Sequence, residues 1–244
     1  MEFYQAISKH YDAIFPLGEA QLKLLSEEFA GKNKILDLAC GTGTYALALG
    51  AKGFQVYGLD LDASMVAEAR SKAAKERAKV DVDFLVADMR DCAELFSPKS
   101  FGGIFCIGNS LVHLPSKEHL GTLVKNVFDL LEEGGVFISQ IVNYDRVLHY
   151  GITELPVIHN RQAGVRFIRK YKYNEEHRRI IFSGTLEVEG EKPVTNSVTL
   201  LPLLKDEMIA MHQEAGFKQI ETFGGFRREP FTLDTQALVV VARK

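Results

Sequence analysis

Ile35-Leu36-Asp37-Leu38-Ala39-Cys40-Gly41-Thr42-Gly43-Thr44 decides the fold of this chain. Strand-like apolar sequence runs straight into a glycine turn, and helical sequence follows from Thr44 through Tyr45-Ala46-Leu47-Ala48-Leu49. The next apolar run, Phe54-Gln55-Val56-Tyr57-Gly58-Leu59-Asp60, ends in an acid. Strand, glycine turn, helix, strand and terminal acid form the βαβ unit that holds adenosine-type ligands. Gly41 and Gly43 let backbone approach a ligand with no Cβ in the way. The helix N-terminus leaves backbone N–H groups for an anionic group, and Asp60 is placed to accept from ribose hydroxyls.

Working outward, strands are expected at 34–39, 54–60, 82–87, 101–107 and 135–142, with helices near 44–51, 63–78 and 117–131. Strands alternating with helices imply an α/β fold, a parallel sheet with helices on both faces. Residues 3–30 read as two helices broken at Pro16-Leu17-Gly18, and Gly134-Gly135 reads as a tight turn before the fifth strand. After Tyr144 the texture changes to alternating runs at 165–173, 180–188 and 193–203, an inserted antiparallel meander of three strands. A helix at 205–215 and strands at 217–223 and 236–242 resume the first pattern. The expected division is a cofactor-binding core with N-terminal helices at 1–143, an inserted β lid or substrate subdomain at 144–204, and the rest of the core at 205–244.

A net charge of −3 gives no global attraction for nucleic acid or an anionic membrane. The three cysteines, Cys40, Cys92 and Cys106, are scattered without a metal-binding pair and read as reduced thiols of a cytoplasmic protein. The first residues lack the basic start and apolar core of a signal peptide, and no apolar run reaches membrane-spanning length.

A dinucleotide site has three glycines; here the third position is Ala46, and Asp37 sits inside the strand. The pattern Asp-x-x-x-Gly-x-Gly resembles motif I of the class I S-adenosylmethionine-dependent methyltransferases, and the resemblance extends over most of the chain. It implies the Rossmann-like methyltransferase fold: a mixed seven-stranded sheet with helices on both faces, closed by an antiparallel hairpin, with the antiparallel β meander inserted. It also implies S-adenosylmethionine as cofactor. By this resemblance Asp60 takes the ribose, Asp88 the adenine amino group, and the N–H of Met89 a ring nitrogen. Met65 packs on the adenine face, and Asp37 supports the glycine loop and the cofactor's ammonium end. Tyr4 and Tyr11 sit near the methionine carboxylate, and Ala39, Leu61 and Ile107 complete the cofactor set. Other readings stay open: strand-end caps for Asp60 and Asp88, core packing for Met65, and amphipathic helix positions for the two tyrosines. Asp37 has no such alternative, because an unpaired carboxylate in an apolar strand is costly.

On the acceptor side, Gly108-Asn109-Ser110-Leu111-Val112-His113-Leu114-Pro115 and Asn143-Tyr144-Asp145 resemble segments of glycine N-methyltransferases. The match implies that Asn109 orients the acceptor, that His113 lines the same pocket, and that both serve catalysis, with Tyr144 beside them. Those enzymes carry an arginine before Asn-Tyr-Asp that clamps the glycine carboxylate. Val142 stands there instead, which puts glycine itself in doubt. Period two places Arg169 on the face of Val165, Phe167, Tyr171 and Tyr173, where it could pair an anion. A bulge that returns it to water is the alternative. His113 has a capping or core alternative.

The reading is methyl transfer to a small molecule, an amine before a hydroxyl. O-methylation and a non-catalytic nucleotide-binding protein of the same fold are the alternatives. The missing third glycine and the presence of Asp88 speak against a dinucleotide-dependent oxidoreductase. The absence of an Asp-Pro-Pro-Tyr-like segment at the fourth strand and the mild acidity speak against DNA. The basic residues of the meander exclude RNA less firmly. No metal is expected, and a homo-oligomer stays open.

Overall fold

Strand β1 (Lys34–Asp37) is covered on both faces, with Ile35 and Leu36 fully buried on opposite sides. This is why its sequence is continuously apolar rather than alternating. In the computed structural model, which describes residues 7–76 and 80–244, β1 pairs in parallel with β2 (Gln55–Asp60) and β4 (Phe101–Cys106). Strand β2 pairs with β3 (Asp81–Val86), and β4 with β5 (Leu131–Val142), also in parallel. At the C-terminal edge, β11 (Ala237–Arg243) lies antiparallel to both β5 and β10 (Gln219–Phe223). The seven-stranded order is β10-β11-β5-β4-β1-β2-β3, the mixed sheet expected. Tyr4 lies outside the described residues.

Two apolar layers flank this sheet. On one face, Leu24 and Leu25 of helix α1 (Glu19–Glu28), Leu47 and Leu49 of α2 (Thr44–Gly50), and Val66 and Ala69 of α3 (Ala63–Glu76) pack on Ile35, Val56 and Phe105. On the other, Leu120, Leu123, Val124 and Val127 of α4 (Lys117–Leu130) and Met208 of α6 (Lys205–Ala215) pack on Leu36, Ile104 and Phe137. Ser116 starts α4 by accepting a hydrogen bond from the His119 N–H. Gly216, at φ +113°, ends α6. Among the described residues no helix is long and apolar enough to cross a membrane.

The inserted segment departs from expectation. A short helix, α5 (Tyr144–His149), precedes four antiparallel strands rather than three: β6 (Glu154–Asn160), β7 (Val165–Asn174), β8 (Arg179–Val188) and β9 (Val194–Leu200). Strand β6 escapes the sequence pattern because it contains Pro156, and its pairing with β7 shifts register between Leu155 and Ile158. Its burial therefore does not alternate. Gly134 and Gly135 lie within β5, not before it. Leu131 pairs with Phe101 while Val136 pairs with Gly103, so residues 132–135 bulge out, with Gly134 at φ +70°. Within the described residues, the first of the two expected N-terminal helices is a 3-10 turn (Ser8–His10) followed by one helical turn (Tyr11–Ile14). That segment is held by packing of Ile7 and Ile14 with Met65 and with Val165, Phe167 and Leu186 of the second sheet.

Gly103 shows how tightly the central strands meet α1. A Cβ there would sit 2.4 Å from Cδ1 of Phe29 and 2.9 Å from Cδ1 of Ile35, both fully buried. The Gly103→Ala variant is expected to lose about 1–3 kcal/mol of unfolding free energy, the cost of overpacking a rigid core. Urea unfolding checks this, and an unchanged midpoint would show that the layer yields freely.

Candidate active site

The carboxyl ends of β1, β2, β4 and β5 reach one edge of the first sheet, and the second sheet faces that edge across two adjoining cavities of about 410 and 320 Å³. Both cavities are lined by Tyr11, Ala39, Gly108 and His113, so they meet there.

The glycine turn is built from backbone conformation and one carboxylate. Gly41 and Gly43 have φ of +53° and +77°, a region that side chains other than glycine rarely adopt. The Gly41 N–H donates to Oδ2 of Asp60 at 2.8 Å, and the Asp62 N–H donates to Oδ1 at 2.9 Å. Each carboxylate oxygen thus accepts one backbone bond and keeps further acceptor capacity toward the smaller cavity. Burial raises the Asp60 pKa in spite of those two bonds. Gly43 does not serve close approach to a ligand, as its spacing implied. It lines neither cavity, and a Cβ on it would meet Phe84 at 2.6 Å and Ala69 at 2.9 Å. Its role is contact between α2, β3 and α3.

The smaller cavity collects most of the expected cofactor set. Asp60, Leu61, Met65, Asp88 and Met89 line it together with Gly41 and Ala39. Leu61 is half exposed, while Met65 is buried and also packs in the N-terminal cluster, so it serves as both wall and core. Asp88 caps its own turn: Oδ1 accepts from the Arg90 N–H at 2.9 Å, and Oδ2 accepts from the Arg90 guanidinium at 2.6 Å. That guanidinium holds the carboxyl below its usual pKa.

The larger cavity holds Asp37, Ile107, Asn109 and Arg169, with Tyr11 and His113 on the shared boundary. Asp37 is 2% exposed, and burial raises its pKa well above normal, although the Ala39 N–H donates to it. His113 is pushed down to about 4, chiefly by burial, so its imidazole is neutral near pH 7.

Asn109 lines the larger cavity as expected, whereas Tyr144 does not. Asn109, at φ +68°, turns its amide inward: Oδ1 accepts from the Val142 N–H at 2.9 Å, and Nδ2 donates to the Tyr144 hydroxyl at 3.1 Å. Tyr144 is fully buried and lines neither cavity. Its neighbours are structural too. Asn143 caps α5 by accepting from the Arg146 N–H, and Asp145 accepts from the Lys205 N–H at the start of α6. The Asn-Tyr-Asp segment therefore braces the acceptor wall from behind.

Three contributors escaped the sequence reading. Gln140 accepts from the Gly108 N–H at 2.9 Å and lines the larger cavity; its signal was a polar residue in an apolar strand. Tyr171 lines the same cavity and is hydrogen-bonded to Tyr144. Asp12 accepts from Thr42, Thr44 and Lys72, tying the N-terminal segment to the glycine turn across 30 to 60 residues, where no local pattern exists. Burial pushes the Asp12 carboxyl up, but these partners outweigh it and lower its pKa.

Residues 35–135 match a methyltransferase domain family. The chain therefore carries a methyltransferase domain over this stretch. It is 26% identical over 229 residues to a glycine/sarcosine N-methyltransferase of Aphanothece halophytica, covering 93% of this chain and 81% of that one. In fold it is similar to an S-adenosylmethionine-dependent methyltransferase of Clostridium acetobutylicum (TM-score 0.80, 17% identity, 99% and 98% of the two chains). It is also similar to S-adenosylmethionine-bound CalS10, an amino pentose methyltransferase of Micromonospora echinaspora (TM-score 0.67, 18% identity, 100% and 98% of the two chains).

A buried histidine gives stability a pH dependence. Burial lowers the folded-state pKa of His212 from 6.5 to about 4. Between those values the unfolded chain binds a proton that the folded chain refuses, so the contribution of His212 to stability is present above pH 6.5 and is lost as pH falls toward 4. His212 packs on Phe137, away from both cavities. The His212→Leu variant is expected to flatten the stability-against-pH slope in this window by up to about 1.4 kcal/mol per pH unit, one proton's worth. Chemical denaturation at several pH values checks this; superimposable slopes would contradict it.

Proposed function

We propose that this methyltransferase transfers the methyl group of S-adenosylmethionine to the nitrogen of a small amine. The observation that carries the proposal is the meeting of the two cavities at Gly108 and at His113, whose imidazole is held neutral. The name of one relative, a glycine/sarcosine N-methyltransferase, supports nitrogen over oxygen.

The residues fit the cofactor. Asp37 is a buried carboxyl at the cavity wall with only a backbone donor, a setting that a cationic ammonium group would relieve. Asp60 keeps lone pairs for a ribose diol, and Gly108, at φ +80°, has nothing within 4 Å of where a Cβ would stand. When bound, S-adenosylmethionine supplies a methyl group activated by its positively charged sulfur. In this reading Asp60 holds the ribose, Asp88 and Met89 the adenine edge, and Leu61 and Met65 its faces. Asp37 takes the ammonium end, while Ala39, Gly41, Ile107 and Tyr11 close the walls. The amine attacks in its unprotonated form, its surplus proton going to water, and His113 lines the transfer point as an uncharged imidazole. Asn109 and Tyr144 keep the Gly108 turn in place, and this alignment lets the nucleophile approach in line.

Incubation with isotopically labelled S-adenosylmethionine and a panel of small amines and matched alcohols tests the reaction. Label on nitrogen is expected; label on oxygen alone would replace this reading with O-methylation. Asp60→Asn keeps the side-chain volume but removes the charge. It is expected to weaken S-adenosylmethionine binding about tenfold or more, the worth of one charge-assisted hydrogen bond, and to lower the melting temperature, because the amide nitrogen faces one of the two backbone N–H donors. Unchanged affinity by calorimetry would remove Asp60 from the ribose site.

A further inference from the structure

We propose that Arg169 anchors an oxyanion on the methyl acceptor, so that the acceptor is an amine that also carries a carboxylate or a phosphate. This rests on the amine reading above and names its substrate class.

The basic residues of β7 divide by face. Arg166 pairs with Glu187 at 2.9 Å and Lys170 with Glu154 at 3.3 Å, and both face solvent. Arg169 lies on the inner face, in register between Phe167 and Tyr171, and lines the larger cavity. Among the described residues it has no carboxylate partner. Its Nη2 donates to the Pro156 carbonyl at 2.7 Å, and its Nε is buried without an acceptor. The bond to Pro156 orients the guanidinium plane, leaving a polarised N–H unmet in a wall of Phe167, Tyr171, Phe182 and Leu155.

A desolvated cation without a counter-charge is unfavourable. Burial lowers the pKa of Arg169, in keeping with that cost. Among the described residues, the only other charged side chain on this cavity is Asp37, which belongs to the β1 end and is assigned above to the cofactor. An oxyanion arriving with the acceptor would satisfy Nε and supply the missing charge. Guanidinium is the group best suited to that, because its planar donors match carboxylate and phosphate oxygens.

The test uses the intact protein with β-alanine, γ-aminobutyrate and aminoethyl phosphate as oxyanion probes. β-Alaninamide and ethanolamine are their uncharged counterparts, and hydroxypropionate is the oxygen-acceptor control. The wild type is expected to show a KM at least tenfold lower for an oxyanion probe than for its uncharged counterpart. Arg169→Gln is expected to raise that KM at least tenfold, leaving the KM for the uncharged counterpart and the affinity for S-adenosylmethionine within twofold. Arg169→Lys, which keeps the charge but loses the planar fork, is expected to fall between. Calorimetry on protein loaded with S-adenosylhomocysteine gives a second readout: oxyanion probes bind the wild type and not Arg169→Gln. Preference for carboxylate or for phosphate among the probes identifies which oxyanion the site takes. Equal use of charged and uncharged amines overturns the anchor while leaving N-methylation standing. So does an equal loss of both in Arg169→Gln, or failure of every oxyanion probe to bind. Arg169-dependent methylation of hydroxypropionate alone would keep the anchor and overturn the amine.

Discussion

One carboxylate fastens the turn on which the site depends. Asp60, at the end of β2, accepts from the Gly41 backbone and so joins the end of β1 to its neighbour. The Cys40 N–H donating to the Leu59 carbonyl at 2.8 Å closes the same joint. The turn cannot relax elsewhere: Gly41 and Gly43 are left-handed, and Gly43 is hemmed in by Phe84 and Ala69. The acid that remains open to the smaller cavity is thereby fixed relative to the backbone that borders it. This is preorganisation: the ordering cost is met during folding instead of at binding.

A second constraint acts from outside the sheet. The segment through Tyr11 lies between the glycine turn and the second sheet, with the Tyr11 ring 3.3 Å from where a Cβ on Gly41 would stand. Asp12 ties it to Thr42, Thr44 and Lys72, and Asn160 Nδ2 donates to the Ala13 carbonyl at 3.0 Å from the opposite side. Packing of Ile14 with Met65 and Phe167 joins the same three parts. The boundary between the two cavities is therefore shaped by elements distant in sequence, and displacement of this segment would open both together.

The parts of this architecture that are legible in sequence are those with a local cause. Period and punctuation set β1, α2 and β2, the glycine turn, and the acids at strand ends, because each follows from a few adjacent residues. What escaped is non-local or masked. Strand β6 hides behind Pro156 and a register shift. Tyr144 sits in a segment that resembles an acceptor-binding one, yet it lies behind the wall, outside both cavities. Asn109 lines the cavity, but the direction of its amide is decided by the Val142 N–H, 33 residues away, and no spacing rule reports that. Gly43 was assigned to ligand approach, whereas its neighbours Phe84 and Ala69 come from β3 and α3. Arg169 was legible because strand alternation alone puts it on the inner face, and the structure keeps it there.

The charges of the larger cavity follow one logic. Asp37 is buried and Arg169 half-buried with its Nε sealed from solvent, one on each sheet and each without an ionic partner in the described residues. If they paired with one another, the cavity would be neutral and closed to charged ligands. Held apart, each favours an incoming group of opposite sign, and each raises the cost of the wrong one. Between them His113 is neutral because burial opposes its protonation. A charged imidazole there would repel both the sulfonium centre and a protonated amine. Under the proposed reading, an uncharged imidazole suits an amine that attacks in its unprotonated form.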